Sequence, residues 1–295
     1  MSGVLDIIFR LNQGVESSIM ELYTNYNQIL KDQFGARVQK ISINAGFTCP
    51  NRNGVKGWGG CTFCNNQTFF PEYCQPTKSV VQQMEEGIYF FRRYEGQIYL
   101  AYFQAYTNTY GSLDELKLRY EEALAVDGCV GLVIGTRPDC MPDTLLDYIE
   151  ELSHRTFVMV EYGIESANDN TLLRINRGHD FATAVDAIRR THERGILVGG
   201  HLILGLPGED RDELMRQAEA IASLPLDMVK LHQLQLIRGT RMAREYEQCP
   251  EDFHLYGVDE YIDLAIDYIE RLPSTMVVER FISQSPRSLL IPTGA

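Results

Sequence analysis

Six short, nearly continuous apolar runs recur along the chain, and helical periods fill the gaps between them. The runs span residues 38–46, 97–106, 129–136, 157–164, 196–206 and 228–237. They are rich in β-branched residues and bounded by Gly or Pro. A strand that is apolar on both faces is one covered on both faces, the condition of a parallel sheet. In the gaps, Val80, Met84, Ile88 and Phe91 share one helix face, as do Leu113, Leu116, Tyr120 and Leu124. Phe181, Val185, Ile188 and His192 form another stripe, closed by Gly195. Leu214, Ala218, Ile221 and Leu224 form a fourth, closed by Pro225. Helices are also expected at about 16–33 and at 258–273, with a final strand at 276–282. Parallel strands joined by right-handed crossovers make an open doubly wound sheet or a barrel, complete or partial, and the pattern alone fits both. In either, chemistry gathers at the C-terminal ends of the strands.

The bulk numbers exclude little but set the scene. With 295 residues and 44% hydrophobic content, the chain can bury one large core or two small ones. No window reaches the ~18 unbroken apolar residues of a membrane span. The first residues lack a basic region followed by a long apolar run, so no signal peptide is expected. The expectation is a soluble cytoplasmic protein without a membrane partner. Net charge is -13, from 40 acidic and 27 basic residues. That argues mildly against a broad nucleic-acid surface, which needs clustered Lys and Arg. Local basic sites remain at 37–40, at Arg92 and Arg93, and around Arg238, Arg241 and Arg244. Solvated surface charge is the simplest reading of each.

Three of the seven cysteines lie in "CPNRNGVKGWGGCTFC", residues 49–64, with the spacing C-x11-C-x2-C. The loop carrying Cys49, Cys61 and Cys64 leaves the first apolar run at the end where a site is expected. Three close thiols suit a soft metal. A closed zinc site needs four ligands, and Cys74 would have to supply the fourth. An iron–sulfur cluster normally takes four thiolates. With three, a [4Fe–4S] cluster keeps one iron open to a small molecule. Cys74, Cys129, Cys140 and Cys249 read as ordinary residues, since free cysteine packs as a small hydrophobe.

A three-cysteine loop after the first strand of a partial (β/α)6 barrel, with an aromatic between the last two cysteines, resembles the radical S-adenosylmethionine (SAM) enzymes. The usual spacing of that family is shorter, C-x3-C-x2-C. The wider spacing and the stretch "KISINAGFTCPNRNG…GGCTFCNN" are similar to the YhcC/YtqA-like group, related to the elongator-type and coproporphyrinogen-dehydrogenase-type proteins. The similarity runs from about residue 20 to 290. It implies an α/β fold: a TIM-like partial barrel over 37–295 with a short C-terminal extension, preceded by a helical segment at 1–36. It also implies a [4Fe–4S] cluster on Cys49, Cys61 and Cys64, with SAM on the open iron, and no catalytic side chain beyond these.

The resemblance further suggests SAM contacts. Phe63 would pack beside adenine. The family's Gly-Gly-Glu-like motif is absent, and "QAYTNTYGS" stands in its place, with Gln104, Tyr106, Thr107 and Asn108 as polar candidates. Arg137 and Asp139 follow the third strand. Glu165 matches the ribose position, and Arg177, twelve residues on, matches the carboxylate position. His201 stands where relatives often carry Asp. The implied chemistry is one-electron reduction of SAM to methionine and a 5′-deoxyadenosyl radical, fed by a donor such as flavodoxin or ferredoxin. The elongator-type relatives act on tRNA wobble uridine. A branch of the YtqA-like group is linked to converting 5-carboxymethylaminomethyluridine to 5-aminomethyluridine, and this is the expected reaction. A small-molecule substrate, or a non-catalytic iron–sulfur or zinc module, are the alternatives.

Overall fold

The structure, a computed structural model, describes residues 23–65, 68 and 70–291. Its frame is one sheet of eight strands, all parallel: β1 (Thr24–Asn25), β2 (Val38–Ile43), β3 (Ile98–Phe103), β4 (Cys129–Thr136), β5 (Phe157–Glu165), β6 (Leu197–Leu204), β7 (Met228–Gln233) and β8 (Val277–Arg280). The order is β1-β8-β7-β6-β5-β4-β3-β2, so β1 and β2 are the two edges of a curled partial barrel. The expected six strands are β2 to β7, in sequence order. The expected run at 276–282 is the shorter strand β8. The stub β1 falls inside the expected helix 16–33. Its two residues are too few to carry any periodicity, and the helix proper, α1, is Tyr26–Phe34. Residues 16–22 of that expectation lie outside the described residues.

The connecting helices cover the outer face. They are α2 (Val80–Phe91), α3 (Leu113–Leu124), α4 (Asp143–Ser153), the short α5 (Asp169–Arg174), α6 (Phe181–Glu193) and α7 (Arg211–Ala222). Two more, α8 (Arg241–Gln248) and α9 (Val258–Ile269), follow β7. Six of these helices start on a side chain that accepts the amide of the third residue on: Ser79, Ser112, Asn168, Asp180, Asp210 and Thr240. The expected stripes face inward except at His192, which is exposed at the edge of its helix: Val80, Met84, Leu116, Tyr120, Ile188, Leu214, Ala218 and Ile221 are all buried, with the outward side chains of the strands, in one core. Each large aliphatic side chain so buried contributes roughly 1.5–3 kcal/mol.

The inner face is different. At the N-terminal end of the barrel, α1 inserts Tyr26 and Leu30 against Leu100, Tyr102, Val133, Met159 and Met228. Above this plug, toward the C-terminal ends of the strands, lies a layer of buried charge. Glu161 meets Lys40 at 2.7 Å, Lys230 at 2.8 Å and His201 at 2.8 Å. Glu279 meets Lys40 at 2.6 Å and Lys230 at 3.1 Å. Burial pushes the Glu161 carboxyl up, but Lys230, Lys40 and His201 outweigh it and hold it well below the usual carboxylate range.

A depressed carboxylate stabilises the fold above its unfolded pKa, and the contribution is lost as pH falls through the folded one. Glu161→Gln leaves two buried lysines short of a partner, a loss of about 3–5 kcal/mol for such buried pairs. Urea denaturation at pH 7 should show that loss. The gap between wild type and variant should narrow as pH drops below the ordinary carboxylate range. A variant as stable as wild type at pH 7 contradicts the ion layer.

Candidate active site

The loop from β2 to α2 carries the three cysteines. Its eleven-residue spacer folds back on itself as a small hairpin. Asn53 and Trp58 form an antiparallel bridge, and the Gly54 amide bonds the Gly57 carbonyl at 3.0 Å. The Lys56 amide bonds the Pro50 carbonyl at 2.9 Å, and the Gly60 amide bonds the Asn51 carbonyl at 2.8 Å. Gly60 has φ +80°, and a Cβ there would meet Arg52 Nε at 2.9 Å, so glycine is required twice over. The second half of the loop is pinned from both sides. The Thr62 amide bonds the Ile175 carbonyl, and the Met242 amide bonds the Thr62 carbonyl, each at 2.9 Å. A turn from Cys61 to Cys64 brings those two thiols together.

Cys49, Cys61 and Cys64 line one cavity of about 210 Å³ at the C-terminal ends of the strands. Among the described residues, three side-chain donors point at the sulfurs of Cys61 and Cys64. Arg177 Nη1 lies 3.5 Å from Cys61 Sγ, Asn51 Nδ2 lies 3.7 Å from the same atom, and Arg52 Nη2 lies 3.7 Å from Cys64 Sγ. Amide and guanidinium donors suit sulfurs that carry negative charge, the state of cluster ligands. Cys74 instead sits in the apolar core with Ile41 and Met84, and burial pushes its thiol up to about 12. It is not a lining residue of the cavity, so the four-cysteine zinc arrangement does not form. Among the described residues, no three His, Cys, Asp or Glu side chains are spaced to hold a single metal ion.

Most of the expected site residues meet at this cavity. Phe63, Gln104, Tyr106, Thr107, Arg137, Glu165, Arg177 and His201 all line it. Asn108 does not. Its side chain is fully buried and donates to the carbonyls of Phe103 (2.9 Å) and Gly135 (2.8 Å), tying β3 to β4. Asp139 also stays outside the lining, paired with Arg137 at 2.9 Å and Lys56 at 2.7 Å. Burial pushes the Asp139 carboxyl up, yet the Arg137 hydrogen bonds and the two cations bring it down to about 2. Arg177 is less free than its expected role requires. Besides Cys61, it donates to the Gly163 carbonyl at 2.6 Å, with Glu165 at 3.5 Å. A Cβ on Gly163 would meet Arg177 Nη2 at 2.6 Å, so a bare backbone there makes room for the guanidinium. Among the described residues, Arg177 Nε, Arg137 Nη1 and Thr107 Oγ1 are buried without a partner, in side chains that belong to the cavity lining.

The backbone carries its own signal. Among the described residues, three non-glycines have left-handed φ: Tyr106 (59°), Glu165 (69°) and Asn176 (54°). Tyr106 and Glu165 line the cavity, and Asn176 bonds Asn51 and Gly60 of the cysteine loop. Such residues each cost of order 1 kcal/mol or more and cluster at functional sites. Residues that sequence reasoning passed over include Asn51, Arg52, Glu161, Lys230, His232 and Arg280. The spacer pair was findable, since the polar dipeptide Asn51-Arg52 follows Cys49 after a single proline. The others look like ordinary strand residues until the sheet curls.

Comparison with known proteins agrees with this geometry. The sequence profile of the radical SAM superfamily matches residues 46–221, and that of the radical SAM C-terminal domain matches 226–293. The chain therefore belongs to the radical SAM superfamily, enzymes that use a [4Fe–4S] cluster and SAM. Among curated relatives, it is 38% identical over 276 residues to the protein YtqA of Bacillus subtilis (strain 168), covering 93% of this chain and 85% of that protein. It is 36% identical to the protein YhcC of Escherichia coli (strain K12), covering 92% and 87%. A more distant relative is the tRNA uridine(34) acetyltransferase of Methanocaldococcus infernus, 26% identical over 167 residues, or 55% of this chain and 30% of that protein. Among solved structures, the archaeal Elp3 of the same organism superposes with a TM-score of 0.65 at 17% identity, covering 87% of this chain and 59% of that one. That likeness shows the fold.

Arg52→Gln removes a cationic donor from the cysteine sulfurs. The midpoint potential of the cluster should fall, by up to about 60 mV if one charge-assisted hydrogen bond worth ~1.4 kcal/mol is lost. A potentiometric titration followed by electron paramagnetic resonance (EPR) reads this. An unchanged or higher midpoint contradicts the role of the spacer.

Proposed function

We propose that this chain is a tRNA-modifying radical SAM enzyme that converts the wobble side chain 5-carboxymethylaminomethyluridine to 5-aminomethyluridine. Cys49, Cys61 and Cys64 hold the cluster. Phe63, Gln104, Tyr106, Thr107, Arg137, Glu165, Arg177 and His201 form the wall that receives SAM. When bound, the two cofactors supply a carbon-centred radical able to take hydrogen from an unactivated C–H bond; the electron comes from a flavodoxin- or ferredoxin-like donor. The side chains contribute placement and the exclusion of water. Asn108 holds the β3 end beneath Tyr106, and Asp139 fixes the Arg137 fork.

The observation that carries the reading is the charge of the cavity. Arg52, Arg137, Arg177, Lys230 and Arg280 line it beside Glu161 and Glu165, with Asp139 and Glu279 pairing Arg137 and Lys230 from outside the lining. In a chain of net charge -13 this is a local reversal of sign, suited to a polyanionic substrate. The partial relationship to a tRNA uridine(34) acetyltransferase supports the same substrate class. Among the described residues, no helix is long and apolar enough to cross a membrane.

Bulk tRNA from a strain lacking the gene, digested and profiled by mass spectrometry, should accumulate 5-carboxymethylaminomethyluridine or its 2-thio form and lose the aminomethyl products. Complementation with Cys49→Ala should fail to restore them. Identical nucleoside profiles in deletion and wild type contradict the tRNA reading, and point to a small metabolite instead.

A further inference from the structure

The cavity has a second wall with no part in holding the cysteines. It is built by β7, β8 and the segment after them, and includes Lys230, His232, Gln233, Arg280, Ser283 and Ser285. Most polar groups on it are already spent. Gln233 donates to the Ser283 carbonyl at 2.9 Å and accepts from the Ser283 amide at 2.7 Å. The Ser285 hydroxyl donates to Gln235 at 2.6 Å. These bonds lock the segment after β8 against β7. Lys230 is fully engaged by Glu161, Glu279 and Tyr102.

Arg280 is the exception. Its guanidinium makes no hydrogen bond among the described residues. Its nearest carboxylate oxygen is Glu279 Oε1 at 3.9 Å, and the Glu279 carboxylate already serves Lys40 and Lys230. The other cavity arginines all have partners: Arg52 at Cys64, Arg137 at Asp139, and Arg177 at Gly163 and Cys61. The layer around Arg280 holds three cations, Lys40, Lys230 and Arg280, against two anions, Glu161 and Glu279. The neighbouring His201 and His232 are kept neutral, chiefly by burial. One positive charge is left over at the cavity wall.

The backbone aims this charge deliberately. In a regular strand Glu279 and Arg280 would face opposite sides of the sheet. Here the register between β7 and β8 slips: Val229 pairs with Val278, but Lys230 pairs with Arg280. The slip lets Glu279 reach the inner ion layer while Arg280 still lines the cavity. Register slips of this kind re-aim side chains next to active sites. Two further slips occur in this sheet, one between Tyr99 and Ala101 and one between Gly163 and Glu165, the latter beside the cavity-lining Glu165.

We propose that Arg280, presented by the β8 slip, is the substrate-anchoring residue of this enzyme and binds an anionic group of the substrate in the cavity that the three cysteines also line. Only the identity of the anion, the carboxylate of the carboxymethylamino side chain, rests on the function proposed above. A planar guanidinium with five unspent donors fits a carboxylate in fork geometry, and serves a phosphate by the same chemistry.

The test reads binding, not turnover, on reconstituted enzyme loaded with SAM. Calorimetry compares 5-carboxymethylaminomethyluridine nucleoside with its carboxamide, and uridine 5′-monophosphate with uridine, on wild type, Arg280→Gln and Arg280→Lys. Wild type should prefer the carboxylate over the carboxamide by about tenfold, the worth of one charged hydrogen bond. Arg280→Gln should erase the preference and Arg280→Lys should restore part of it, with melting temperature and SAM affinity unchanged. A preference confined to the monophosphate, and erased by Arg280→Gln, supports the anion subsite and assigns it to a phosphate. The proposal is overturned if wild type prefers neither anion, if Arg280→Gln keeps the preference, or if the variant loses SAM affinity instead. Enzyme that binds the carboxylate through Arg280 yet leaves tRNA unaltered in cells contradicts the tRNA reading and leaves the subsite standing.

Discussion

A parallel sheet that curls into a partial barrel must fill its inner face, and this one fills it with paired charge. Glu161 at the centre of β5 holds Lys40 from β2 and Lys230 from β7, and Glu279 from β8 holds the same two lysines. Four strands spread across the sheet are therefore joined through their inward side chains as well as their backbones. The pairing draws the far side of the curl toward β2, which the hydrogen-bonded ladder alone leaves as an edge. Everything above the layer depends on it. The cavity floor is made of Glu161, Lys230 and His201, and the loops that carry the cysteines rise from the strands it ties together.

The cysteine loop shows how a long spacer can be structured without regular elements. Its glycines and its hairpin bring Asn51 and Arg52 back beneath Cys61 and Cys64, while α5 and α8 grip it from the other side. Two of the donors aimed at sulfur, Asn51 and Arg52, are thus built from the residues that distinguish this spacing from the shorter one of most relatives, and Arg177 adds a third from outside the loop. Strain is concentrated nearby, at Tyr106, Glu165 and Asn176, where the surrounding packing holds backbone that a free chain would relax.

Much of this was legible in the sequence, and the parts that were not share a cause. The apolar runs announced β2 to β7 because burial on both faces leaves a continuous signal. The helix stripes were equally plain, down to Gly195, which ends α6 with φ +70°. The cysteines stood out by spacing, Arg137 by its place after β4, and Phe63, Glu165, Arg177 and His201 through the family resemblance; all of them line the cavity. Asn108 misled because an amide in a loop looks the same whether it faces a ligand or, as here, two backbone carbonyls. The ion layer was hidden for a different reason. Lys40, Glu161, Lys230 and Glu279 are spread over 240 residues, and only the curl brings them together. The β8 slip that aims Arg280 is a register event, and register is a property of two strands, not of one.

The central claim is that three cysteines hold a [4Fe–4S] cluster whose remaining iron receives SAM. The most direct measurement is EPR and electron–nuclear double resonance of the anaerobically reconstituted, reduced protein with SAM labelled at its amino nitrogen and carboxylate oxygen. The account predicts a changed EPR spectrum on adding SAM and hyperfine coupling from both labels. A reduced spectrum that SAM leaves untouched, with no coupling from either label, would contradict it.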